Sequence, residues 1–109
     1  MTEIDPNKAI DYIFENAAEY SHAKGRLAEL ELYKSSLKAI LMKQSGESSI
    51  GAQEREAYAD DKYVNHCQAI GIATEQAELL KYRLEAAKLR IEVWRTQEAN
   101  NRNIERLTK

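Results

Sequence analysis

The sequence predicts an all-α protein, a long antiparallel helical hairpin of coiled-coil type, and three observations carry that prediction. The stretch from Asp60 to Lys109 contains no proline and one glycine, Gly71. Within it Tyr63, His66, Ile70, Ala73, Ala77, Leu80, Leu84, Ala87, Ile91 and Trp94 follow one another at alternating steps of three and four, which puts them on one stripe of a helix. A second such stripe lies in the first half of the chain, and between the two is the one glycine- and serine-rich segment, where the chain turns back on itself.

Composition agrees with narrow helical seams rather than a broad core. The 109 residues are 31% charged and only 7% aromatic, which is one domain's worth of chain with little material for a globular interior. A formal net charge of -2 argues against a generic polyanion binder, yet the balance is uneven: residues 1–60 hold 7 basic and 11 acidic groups, and residues 81–109 hold 8 and 4. Cys67 is the single cysteine, so no internal disulfide can form and nothing calls for an oxidising compartment. The start, Met1 to Pro6, has neither the basic nor the apolar character of a secretory leader, and no apolar run nears the ~20 residues of a membrane span. A cytoplasmic protein with no membrane contact is expected.

Helix 1 is expected from Pro6 to about Gln44. Asp5 can accept an orphan backbone N–H, and Pro6 supplies a preset φ where its missing donor does no harm. Ile10, Ile13, Ala17, Tyr20, Ala23, Leu27, Leu30, Lys34, Leu37 and Leu41 form its stripe. The irregular 3-3 step that runs through Tyr20 to Ala23, beside Gly25, predicts a local overwinding or slight bend. Residues 45–51 form the loop, Ser49 caps a short helix over 51–59, and Asp60 caps a long helix over about 60–107. Pairing the stripes antiparallel with Leu41 opposite Tyr63 sets Tyr20 near Leu84, Ile13 near Ile91 and Ile10 near Trp94. Helix 1 is then exhausted at Trp94, and Arg95 to Lys109 project beyond it. Phe14, Leu32, Tyr33, Ile40, Val64, Ile72, Leu79, Leu89 and Val93 lie off the seams, so a single domain over 1–109 that dimerises into a four-helix bundle is expected.

No catalytic, cofactor-binding or metal-binding constellation is present, and an enzyme is not expected. His22 and His66 are far apart in sequence, and Glu19 with His22 gives the Glu-x-x-His spacing of a di-metal bundle once, without a twin on the second helix. In the expected pairing His66 faces Leu37 and Lys38 as a packed, hydrogen-bonded side chain, with Cys67 beside it as a small apolar residue.

Lys81, Lys88, Arg95, Arg102 and Lys109 recur at heptad spacing along the long helix. They could track a phosphate backbone, but Glu78, Glu85, Glu92, Glu98 and Glu105 each precede one of them by three or four, the order that supports a solvated helix. Arg83, Arg90 and Arg106 have no such acid. The candidate interface is therefore the polar, basic end, with Arg90, Trp94, Arg95, Asn101, Arg102 and Arg106 as its residues. Such a surface suits hydrogen bonding to a protein, and Trp94 with the arginines could stack and clamp single-stranded DNA.

Two blocks, AQEREAYAD from Ala52 to Asp60 and LEAAKLRIEVWRTQEANNR from Leu84 to Arg102, resemble small helical proteins of tailed bacteriophages and prophages, often encoded near recombination and single-strand DNA handling functions. The resemblance covers the second half of the chain; in the first half it is a helical pattern only. Those proteins tend to have proline after the aspartate matching Asp60, where this chain has Asp61, and either residue suits a helix start. The resemblance implies a setting in a bacterial host cell and carries over no binding residue. The expectation is a non-enzymatic phage accessory protein, a homo-oligomer contacting a phage or host DNA-metabolism protein in recombination or replication, with single-stranded DNA as a further ligand. The alternatives are a small inhibitor of a host defence or transcription complex, acting through the acidic half from Glu3 to Glu31 or the loop around Gly46, and a structural or scaffold protein.

Overall fold

The computed structural model describes residues 3–108; Met1 and Thr2 at the start, and Lys109 with its expected Glu105 pairing, lie outside them. Three helices account for nearly all of this span, α1 (Pro6–Gln44), α2 (Ile50–Ala59) and α3 (Asp61–Thr108), with no strand among the described residues. The protein is an all-α helical hairpin.

Each helix starts where the sequence supplies an acceptor for its orphan donors. Asp5 Oδ1 accepts from the Asn7 backbone N–H at 2.9 Å, and Ser49 Oγ from that of Ala52 at 3.2 Å. Asp60 serves two helices. Its backbone is extended (φ -67, ψ 136) and its N–H closes α2 on Ala57 O, while its Oδ1 accepts from Lys62 N at 2.8 Å to open α3. One extended residue is thus enough to break the chain between α2 and α3.

Contacts divide the chain into two compact units, one joining the chain up to Ser21 with Leu79 onward, the other spanning His22–Glu78. In the second unit, Leu37, Leu41 and Ala57 form a buried cluster with Met42 and Tyr63 packed against it. The last turns of α1 are therefore covered by α2 as well as by the start of α3. Tyr58 and Tyr63 meet edge to face at 5.2 Å, and the Lys38 ammonium reaches Glu54 Oε1 at 3.1 Å and lies 4.7 Å from the Tyr58 ring centre.

This arrangement sets a register different from the expected one. Opposite Tyr63 stands Lys34, whose ammonium lies 6.0 Å from the ring centre, and His66 Nε2 lies 2.6 Å from Leu30 O, not beside Leu37 and Lys38. In the other unit, Ala9 and Tyr12 share a groove with Arg83, Ala86 and Ala87, whereas the expected pairing set Ile10 near Trp94. Each difference is one heptad. A seven-residue slip keeps every seam residue on the same face, so periodicity cannot exclude it. The physical cause is α2, which takes the place against Leu37 and Leu41 that the longer pairing reserved for α3.

All ten α3 seam residues are buried or half-buried. In α1 the seam differs: Ile10, Ala17 and Lys34 are exposed, and Ala9 and Asn16 take the places expected for Ile10 and Ala17. From Ala9 through Ile13, Asn16, Tyr20, Ala23, Leu27 and Leu30 the steps alternate four and three, so the irregular step near Gly25 disappears. Asn16 is tolerated at a half-buried position because its Nδ2 donates to Tyr12 O at 2.8 Å. Among the described residues the eight that are buried include five alanines, Ala9, Ala57, Ala73, Ala77 and Ala87, small side chains that let helix backbones approach closely.

Candidate functional site

The six residues expected at the interface fall on the C-terminal half of α3, inside one unit. Trp94 is half-buried at its root, as a seam residue; Arg90, Arg95, Asn101, Arg102 and Arg106 are exposed. Helical geometry sorts them into two rows. Arg90, Trp94 and Asn101 lie within roughly 40° of one another, and Arg95, Arg102 and Arg106 form a second row roughly 120° further round. Gln97, Glu98 and Ala99 are half-buried, after which every described residue from Asn100 to Thr108 is exposed while the helix continues.

The acid-base pairing expected along this helix is mostly open. Arg95 Nη1 meets Glu92 Oε1 at 3.3 Å, both side chains being well exposed; among the described residues Glu78 with Lys81, Glu85 with Lys88, and Glu98 with Arg102 form no ion pair. The Lys81 ammonium instead sits 5.7 Å from the Tyr82 ring centre. Surface pairs of this kind are worth little, so the open ones cost the fold almost nothing and leave bases available to a partner.

Residues that the sequence reading did not place in the site lie next to Arg90. A groove of about 760 Å³ is lined from the start of α1 by Glu3, Asp5, Lys8 and Tyr12 and from α3 by Arg83 and Arg90, over a floor that includes Ala9 and Ala87. Charges of both signs face it, a polar lining suited to hydrogen bonding. The missing acids before Arg83 and Arg90 were visible in the sequence, but the slipped register hid which part of α1 they approach.

His66 sits apart from this surface. Leu30 O can only accept, so His66 Nε2 carries the proton it donates, and the imidazole meets Tyr33 edge to face at 5.6 Å. Cys67 is free and half-buried. Among the described residues no group of three or more His, Cys, Asp or Glu could hold a metal ion, and no helix is long and apolar enough to cross a membrane. Neither a protein-family model, nor a curated protein, nor a solved structure matches the chain.

Proposed function

We propose that the protein is a non-enzymatic helical adaptor, working as a homo-oligomer, that presents the end of α3 from Trp94 to Arg106 to a protein partner. The observation that carries this reading is the run from Asn100 to Thr108, helical yet exposed at every residue. Most helical stability in proteins comes from packing of a face, so a helix end exposed along its whole length among the described residues is available to another chain. Its polar and basic side chains suit hydrogen bonding and charge pairing at an interface rim.

The resemblance of Ala52–Asp60 and Leu84–Arg102 to small phage proteins supports a partner in phage or host DNA recombination or replication, inside the bacterial host cell. Single-stranded DNA is the second ligand of this surface, with Trp94 and the arginines as its contacts. Co-purification from phage-infected cells tests the partner. Recombination or replication proteins should be retained by the native chain and lost on Arg95→Glu with Arg102→Glu; retained proteins that are the same for both chains would sink the reading. For DNA, affinity for a labelled single strand should fall steeply as salt rises; a flat response or no binding retires that part.

A further inference from the structure

Helix α3 carries two apolar stripes, and the fold uses one of them. In its C-terminal half Leu80, Leu84, Ala87 and Ile91 are buried or half-buried. Leu79, Tyr82, Ala86, Leu89 and Val93 also step by three and four, roughly 150° around the helix from the first stripe. All five are exposed, Leu79 by 52%, Tyr82 by 61%, Leu89 by 64% and Val93 by 46%. The spacing continues through Thr96, Asn100, Asn103 and Leu107, again all exposed, over roughly 42 Å in total. A seven-residue repeat of this length is the surface one helix shows to another.

The charges beside the stripe say which helix fits. With Leu79, Ala86, Val93 and Asn100 as the a positions and Tyr82 and Leu89 as d, the flanking g positions are Glu85 and Glu92, and the e positions are Arg83, Arg90 and Gln97. Glu85, Arg83 and Arg90 close no ion pair among the described residues. One flank is acidic and the other basic, which makes the stripe complementary to a copy of itself.

We propose that this second stripe docks on the same stripe of a second copy, with the two α3 helices parallel. In a parallel pair each g residue faces the e residue of the next heptad in the other chain. Glu85 of each copy then meets Arg90 of the other, and Glu92 meets Gln97. The antiparallel pair would instead bring Glu85 toward Glu92 and Arg83 toward Arg90, like against like. Asn100, the polar residue in the a row, fixes the register by pairing with its own counterpart. Because α3 is already helical, docking orders little new backbone. Each α3 lies between its own α1 and the other copy's α3, giving a layer of four helices.

This inference rests on the self-association put forward above and adds to it a face, a register and an orientation. Sedimentation equilibrium should show a dimer for the native chain. Glu85→Arg and Arg90→Glu should each raise its dissociation constant about tenfold or more, and the two together should restore it to within about threefold of the native value, since the pairs re-form with reversed signs. In a Cys67→Ser background, Val93→Cys should cross-link to itself on oxidation. A native chain that stays monomeric overturns self-association as a whole. A dimer indifferent to the charge reversals, or one that cross-links only when chains carrying Tyr82→Cys and Val93→Cys are mixed, leaves self-association standing and overturns the parallel face.

Discussion

The fold raises the pKa of Lys38. The Tyr58 side chain, and after it the Glu54 carboxylate, hold its ammonium above the ordinary lysine range, against a smaller opposing effect of burial. A group whose pKa is raised on folding stabilises the fold below its unfolded value, near 10.4, and that contribution is lost as pH climbs through the folded value. The stability difference between the native chain and Lys38→Met should therefore hold level from roughly pH 6 to 9 and shrink only above about pH 10.4. Urea melts of both chains across that range measure it, and a difference that fades near neutrality would contradict the assignment. Two other residues show how far single positions could be read. The sequence marked His66 as packed and hydrogen-bonded, which it is, but not its acceptor, because a carbonyl on another helix follows from register alone. Asn16 is the harder case, since a polar side chain in a seam is legible only once its local acceptor, Tyr12 O, is known.

At the scale of elements, the caps and the α3 seam were the readable part. Asp5, Ser49 and Asp60 act through bonds to residues two or three further on, and a seam that steps by three and four is fixed by local geometry. What could not be read was the axial position of α1 against α3, because a heptad slip leaves every local preference unchanged and is decided by α2 packing on Leu37 and Leu41. The two glycines inside the long helices offer a further test. An added Cβ at Gly25 or Gly71 would meet nothing within 4 Å, and none of the described residues has a positive φ. Gly25→Ala and Gly71→Ala should each stabilise the protein by about 1 kcal/mol through helix propensity, seen as a rise in urea midpoint with an unchanged slope. A loss of stability at Gly25 would instead reveal a close helix approach there in the assembled protein.

For the whole molecule, the exposed end of α3 was legible as an anomaly: the apolar pattern fails beyond Trp94 while arginine and asparagine accumulate, and every residue from Asn100 to Thr108 is exposed. The groove beside Arg90 was not legible, because it joins residues near both ends of the chain through the unread register. That register makes length itself modular. Removing one complete heptad from α1, residues 23–29, together with the facing residues 68–74 of α3, deletes matched repeats, whereas removing only one of them displaces all pairing beyond the cut. The double deletion should melt cooperatively at a lower denaturant concentration, with near-UV circular dichroism from Trp94 retained; the single deletion should lose that signal. In evolutionary terms the hairpin is free to grow or shrink by sevens, on both arms together, so that its descendants would differ in reach before they differed in shape.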